Sequence, residues 1–512
     1  MIKTRILAGC LALVGFASAS VVHAQNSIQG GALSTFVNNA AGATPLQQQA
    51  AYAVQGMCTK LGPNGAGGNQ LPAGPDGRRD AWLRCNELVQ TAADLQNLTN
   101  TRSLELSSAE LLGAVQQIAG EEIAAQGSLS TQVSAGQFAN IGGRLSALRF
   151  GSAAVVARGR VAALGPASNA PGIGQSYASL ADAGGALGGG ASSDAEQPQA
   201  HNPWGWFLES SYGFGDKDET QNEDPFDFDS YSVTTGTDYN FGNAVLGFAA
   251  GYDNYKADFG NGLLVSGGDV EVKGVSGSIF AAWFGGGGWS LNGIGTYGQL
   301  ESDVTRFAFY PSNNPACVPV ACEGANRSFT GSPDGSYIAL GATLSYDFLA
   351  GGWQISPSLS ASFRDVDIDG YDEKDSTTNG GLALRYQDQS IESKRSIVGL
   401  ALARPISKSW GVLTPNFRAE WHHEFEDDPR TLRAKYVVED TLAGASSAKD
   451  FNCQISCFAF FTDEVEADYG VAGLGLTAVF SQRVQLYLYY EALLGVSDVT
   501  SNSLALGIRG QF

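Results

Sequence analysis

The chain is short of the side chains that carry acid–base and metal chemistry. Its 512 residues include four His, two Met and seven Cys, and residues 25–200 contain no His. A Ser-His-Asp triad therefore cannot be assembled within that stretch, and a His-based zinc site is equally excluded there. No Gly-x-Ser-x-Gly nucleophile elbow and no Walker-type phosphate loop occurs. The expectation is a chain that is not an enzyme, with no catalytic residue, cofactor or metal. Basic residues are scarce as well: 30 Lys and Arg face 51 Asp and Glu, a net charge of −21. Nucleic acid and anionic membrane surfaces both need a basic footprint, so this balance argues against them as partners. Long apolar runs are absent past the N-terminus, so helices are not the membrane element. Glycine is abundant (66) but has no G-X-Y period, which excludes collagen.

The N-terminus reads as an export signal. Lys3 and Arg5 precede a short apolar core from Ile6 to Phe16. Val22-His23-Ala24 fits a small-x-small cleavage site, with Ala24 the last residue removed and Gln25 the new N-terminus. Cleavage removes Cys10 and leaves six cysteines, which fall by spacing as Cys58 with Cys85, Cys317 with Cys322, and Cys453 with Cys457. In an exported chain these read as disulfides.

Residues 25–150 carry helical periodicity. Thr44 and Pro45 open a stripe of Leu46, Ala50, Val54, Met57 and Leu61; Trp82, Cys85, Val89, Ala92 and Leu95 make a second. Ser107 and Glu110 form a capping box before Leu111, Val115 and Ile118, and a fourth stripe runs through Phe138, Ile141, Leu145 and Leu148. The expectation is a small helical domain with Cys58–Cys85 stapling two helices. Residues 151–203, with the run Gly184–Gly190, read as a Gly/Ala/Ser-rich linker.

From Trp204 to Phe512 the period is two. Leu504, Leu506, Ile508, Gly510 and Phe512 share one face of the last segment, and Ala505, Gly507, Arg509 and Gln511 the other. Leu413, Phe417, Ala419 and Trp421 alternate with Thr414, Asn416, Arg418 and Glu420. Short turns, such as Asn240–Asn243 and Gly285–Gly288, alternate with long polar connections around 214–228, 304–334, 370–390 and 426–463. Twelve strands fit between them, from 204–213 to 501–512. An even number of amphipathic antiparallel strands with one short-turn rim and one long-loop rim describes a transmembrane β-barrel, and it puts Cys317, Cys322, Cys453 and Cys457 in long loops. The acidic stretch Asp216, Asp218, Glu219, Glu223, Asp224, Asp227 and Asp229, against a lone Lys217, reads as a solvated, self-repelling rim loop rather than a cation site, because it has no EF-hand spacing.

These residues resemble the translocator domain of the autotransporter (type V secretion) family. Trp204-Gly205-Trp206-Phe207 is similar to its first strand. Trp421-His422-His423-Glu424-Phe425 is similar to a late strand, Tyr487-Leu488-Tyr489-Tyr490-Glu491 to the penultimate one, and Leu506 to Phe512 to the C-terminal signal read by the barrel assembly machinery. The resemblance implies an outer-membrane barrel of a Gram-negative cell, handled by periplasmic chaperones and the assembly machinery. It implies a monomeric barrel set among outer-membrane lipid and lipopolysaccharide. A segment before Trp204, at Ser134–Leu148 or Ser176–Ala183, would thread the lumen, and Arg418, Glu420 and Glu424 would face that lumen as ion-pair partners. Passengers of the family are commonly long and β-helical, whereas only residues 25–203 precede this barrel. The expected organisation is a signal peptide (1–24), a helical passenger (25–150), a linker with a pore-helix candidate (151–203) and the barrel (204–512). The expected function is display of that small passenger at the cell surface. The alternative is a non-secretory channel or envelope barrel whose helices stay periplasmic or plug the pore.

Overall fold

Alternation along each strand decides the architecture. Twelve strands run β1 Trp204–Lys217, β2 Phe226–Asn240, β3 Ala244–Phe259, β4 Gly268–Phe284, β5 Trp289–Tyr310, β6 Asp334–Tyr346, β7 Trp353–Ile368, β8 Gln389–Ala403, β9 Gly411–Glu424, β10 Asp468–Phe480, β11 Val484–Leu494 and β12 Val499–Gln511. Each pairs antiparallel with its chain neighbours, and β12 returns to β1 with Leu208 opposite Ile508 and Glu209 opposite Gly507. The sheet therefore closes without an edge, as expected from the strand count. The computed structural model describes residues 31–61, 77–98, 102–120, 122–151, 203–260, 267–317, 322–441, 451, 457–480 and 484–511. The signal segment with Ala24 and Gln25, the stretch Ser176–Ala183, Cys453 and Phe512 lie outside the described residues.

On β1, Leu208, Tyr212 and Phe214 point outward and are exposed, while Phe207, Glu209 and Ser211 point inward and are buried. The same alternation runs round the wall, leaving Phe248, Ile279, Leu340, Leu359, Leu474 and Leu506 exposed outward. Such a continuous apolar band far exceeds what a protein exposes to water; it is the lipid-facing surface of a membrane barrel. Aromatic pairs mark the short-turn end, Trp204 with Tyr239 (ring centroids 5.1 Å apart), Trp289 with Tyr346 (4.9 Å) and Trp410 with Phe480 (5.2 Å). Amphipathic rings favour the membrane–water interface.

Several strands run past the ends expected for them. β1 reaches Lys217 and β5 reaches Tyr310, where polar loops were expected to begin at about 214 and 304. Above the apolar band both faces meet polar groups or other parts of the chain, so the alternation fades although the ladder continues. Ala325–Gly331 pairs with the end of β5, and Tyr371–Asp372, Leu384–Tyr386, Thr431–Tyr436 and Cys457–Phe461 form a separate four-stranded sheet from the long connections.

The helices are α1 Ala32–Asn39, α2 Pro45–Leu61, α3 Arg78–Leu95, α4 Ser108–Gln117 and α5 Glu122–Gly151. Gln47 N donates to Thr44 Oγ1 (3.1 Å) and Thr44 N to Gln47 Oε1 (3.0 Å), closing the start of α2. Ser107 and Glu110 make the reciprocal capping box of α4. Cys58–Cys85 joins α2 to α3 with Cα atoms 5.6 Å apart; closing a loop of that length is worth about 3–4 kcal/mol in the chain-entropy account. Cys317 and Cys322 are joined in the β5–β6 connection. Cys457 is disulfide-bonded.

The helices do not form one unit. Leu46, Val54, Trp82, Leu88, Leu111 and Val115 of α2–α4 share a single buried core with Tyr310, Phe329, Leu384, Leu432, Tyr436 and Phe460 of the long-loop end. α5 leaves that core and enters the barrel, where Ala125, Leu129, Val133 and Ile141 pack with inward residues of the wall.

Candidate functional site

The site is the lumen with α5 inside it, and the rim on which α1–α4 sit. From Ile123 to Gly143 there is no charged side chain. α5 is buried on every side along most of its first turns, although Gln126, Ser130, Gln132, Gln137 and Asn140 are polar. A helix buried all round is normally apolar; this one is polar because the wall it meets is polar. Asn140 Nδ2 donates to Ser232 Oγ (2.9 Å) and Thr234 Oγ1 (2.7 Å) of β2, and Thr234 Oγ1 donates to Gln137 Oε1 (2.9 Å). Close approach depends on glycine. A Cβ at Gly136 would strike the Asp253 carboxylate, at Gly251 the Gln137 amide, and at Gly274 the Val133 side chain. α5 therefore leans on the β2–β5 side of the lumen.

The wall on the other side carries the charged residues named from sequence. Arg418 pairs with Glu420, and His422 Nε2 lies 2.9 Å from Glu420 Oε2. Arg395 Nε lies 3.3 Å from Glu424 Oε2, and Glu424 also accepts from Ser393 Oγ (2.7 Å) and Lys394 N (2.7 Å). The side chains of Ser393, Arg395, Arg418, Glu420, His422 and Glu424 face the interior and are nearly inaccessible. At the C-terminal strand, Leu504, Leu506 and Ile508 face outward, and Gly510 is in register with Trp206 and Val484. The acidic stretch is tied into the rim by partners no local pattern reveals. Lys217 Nζ reaches Asp463 (2.7 Å) and Asp498 (2.6 Å), and Asp463 N donates to Glu223 Oε1 (3.0 Å). Among the described residues no group of three His, Cys, Asp or Glu side chains is arranged to hold a metal.

Where α3 meets the rim, charge is buried. Arg327 bonds Asp80 and lies 3.2 Å from Asp375; Arg84 bonds the Gly324 carbonyl and lies 3.1 Å from both Glu87 and Glu323. Lys60 of α2 pairs with Glu439. These contacts join residues up to 379 positions apart, so they left no local trace. The traceable signal was the charge-free run from Ile123 to Gly143, too polar for lipid and too uncharged for water.

Burial pushes the Glu87 carboxyl from 4.5 up to about 8, against the pull of Arg84 and the Glu323 amide, with the charges of Glu323 and Asp80 adding to the rise. The seated domain thus keeps a proton that the unfolded chain releases above its ordinary carboxylate pKa. Stability from this group is complete below 4.5 and is lost as pH rises through about 8. The expected outcome is a thermal midpoint of the helical domain that falls between those limits, with Glu87→Gln flattening the profile. An unchanged slope in that variant would assign the pH dependence elsewhere.

The Autotransporter beta-domain family matches residues 206–491, more than half of the chain and nearly the whole barrel. The chain belongs to this family. As an autotransporter it is an outer-membrane protein of a Gram-negative cell, delivered through the periplasm to the barrel assembly machinery. Its curated relatives include esterase EstA of Pseudomonas aeruginosa and of Pseudomonas putida, each 29% identical over 245 residues, which is 47% of this chain and 34% of theirs. The chain thus spans about a third of the length of these relatives. Among solved structures it is similar to the translocator domain of the autotransporter NalP from Neisseria meningitidis (15% identity, 60% of this chain, 89% of that one, TM-score 0.43). It is also similar to the transport unit of AIDA-I from Escherichia coli (13%, 63%, 94%, 0.42).

The esterase relatives overturn the expectation that this autotransporter is not an enzyme. That exclusion covers a His-based triad and zinc site within residues 25–200, a Gly-x-Ser-x-Gly elbow and a Walker-type loop. Nucleophile activation also occurs with other bases, and His–carboxylate pairs exist elsewhere in the chain. Besides His422 with Glu420, His423 Nδ1 lies 2.9 Å from Asp468 Oδ1 on the outward face, and Ser396 is opposite His423 in the β8–β9 register.

Proposed function

We propose that the barrel carries its own helical domain across the outer membrane and keeps it at the cell surface, seated on the long-loop rim. One observation supports this most. α2–α4 share a core with the long connections, at the end opposite the one where Gly205 and Gln511 bring both barrel termini together. With those termini on the periplasmic side, the seated domain is outside, and α5 runs from it down through the lumen. The barrel works as a monomer, its apolar band in the lipid and its outward acids, such as Asp227, Asp258 and Asp367, level with the lipopolysaccharide head groups. An epitope tag after Gln25 tests the reading: antibody should label it, and protease remove it, on intact cells. A tag protected until the outer membrane is opened would mean that the helices never crossed, leaving an envelope barrel.

The relatives' name supplies a second reading, ester hydrolysis by the helical passenger. Cells carrying the protein would hydrolyse a short-chain aryl ester above cells lacking it, and deleting residues 31–151 would remove the excess. Full activity in that deletion would clear the passenger of any such role.

A further inference from the structure

We propose that Arg306, Glu373 and Tyr386 form a catch that sets where the chain stops in the barrel, by gripping the bend between α4 and α5. This rests on the display reading and adds to it a site of retention. The last carbonyls of a helix have no partner within it and attract cations. α4 ends at Gln117, whose carbonyl accepts from Arg306 Nη1 (3.1 Å) and whose Oε1 accepts from Phe309 N of β5 (2.7 Å). The Tyr386 hydroxyl lies 3.1 Å from Gly120 O, the last described residue before α5. Gly120 is left-handed (φ +69°), and a Cβ there would strike that hydroxyl. Only glycine satisfies both the backbone and the catch.

The gripping groups are organised by β5 and the long connections. Glu373 receives Arg306 through two hydrogen bonds, Nε to Oε1 (2.9 Å) and Nη2 to Oε2 (2.6 Å), and also accepts from Leu384 N (2.8 Å). The guanidinium stacks 4.0 Å over the Phe329 ring. Both charged side chains are almost wholly buried, and a bidentate pair of this kind fixes direction as well as charge. Beyond the bend, Arg430 Nη2 reaches Ala124 O of α5 (3.3 Å), where Gly127 leaves room for the guanidinium. The catch therefore holds main-chain carbonyls, recognising a helix end followed by glycine, and the Gln117 amide adds a side-chain contact to β5. Arg306 lies near the end of β5, and Glu373 and Tyr386 lie in the β7–β8 connection, so the grip closes only when the bend has reached the long-loop end. Closure leaves α5 in the lumen with Asn140 level with Thr234.

Cysteines replacing Asn140 and Thr234 read that level in the full chain in the outer membrane. Under mild oxidation the pair should cross-link in most molecules. Arg306→Met should lower the yield about tenfold, the factor carried by hydrogen bonds from a charged donor. Tyr386→Phe, which removes one hydroxyl and keeps the ring, should lower it less. Lys273→Met, whose ion pairs with Glu271 and Asp303 face outward on the barrel, should change nothing. Wild-type yields in both catch variants would overturn the proposal; if Arg306→Met fails to assemble, Tyr386→Phe alone decides. The tag after Gln25, labelled on the same cells, reports display separately: an unlabelled tag with the cross-link lost only in the catch variants would sink the display reading and keep the catch.

Discussion

Deleting residues 31–151 turns a closed barrel into a conducting pore. The deletion removes α1–α4 with α5, so nothing from the helical segment is left to fold back over the mouth. An α-helix with its side chains is about 10–12 Å across, and its removal leaves a lumen of that order lined by polar groups. Thr234, Asp253, Asn292 and Thr296 line the β2–β5 side, and Glu209, Arg395 and Glu424 the other. Such a bore holds water and ions, because its walls supply the hydrogen bonds the helix now takes. In planar bilayers the whole protein should be quiet and the deletion should show stepwise conductance. A gentler change acts on the seat alone: Gly136→Leu drives a side chain into Asp253, an overpacking worth about 1–3 kcal/mol, and should give brief openings. A silent deletion, or a whole protein that already conducts as well as the deletion, would mean that α5 is not what closes the lumen.

The barrel was legible in the sequence because the membrane imposes a strict rule on it. Every strand crossing lipid must alternate, so Leu504, Leu506 and Ile508 announce an outward face without help from any other strand. The rule lapses above the membrane, and there the strand ends were misplaced, as at Lys217 and Tyr310. Caps such as Ser107–Glu110 are local chemistry and can be read directly. The lumenal helix was half legible. Its apolar stripe from Phe138 onward pointed to Ser134–Leu148, but the part starting at Glu122 is shaped by the wall, and its glutamines and serines make sense only beside Ser232, Thr234 and Gln389. The rim pairs were invisible, since Asp80 and Arg327 stand 247 positions apart and become neighbours only when α3 seats on the long connections. Enzymatic activity is not excluded by missing motifs for a different reason: a triad, a zinc site, a nucleophile elbow and a phosphate loop are only some of the arrangements that activate a nucleophile.

Arg327→Met should unseat the helical domain while leaving the barrel intact. The Arg327 guanidinium is 6% exposed and lies between Asp80 of α3 and Asp375 of the β7–β8 connection, themselves 20% and 5% exposed. Asp80 Oδ2 also accepts from Gly381 N (2.8 Å), so it cannot swing to water without breaking a second contact. Removing this cation leaves two carboxylates facing each other in a largely dry interface, with Arg84 Nε, 3.7 Å from Asp80 Oδ1, as a more distant counter-charge. Breaking a buried pair in this way costs about 3–5 kcal/mol, and the partial exposure of Asp80 puts the expected loss at the lower end. A loss of that size is a large share of what a small domain has in hand. The variant should still run as a folded, heat-resistant barrel, while backbone amides of α3 exchange with solvent far faster and protease reaches the helical domain on intact cells. Asp80→Asn in the same background removes one of the facing charges and should restore part of the loss, so a double-mutant cycle isolates the pair. If the two substitutions simply add, the charges do not hold the domain down, and its seat rests on the apolar core shared by Trp82, Leu88, Phe329 and Leu384.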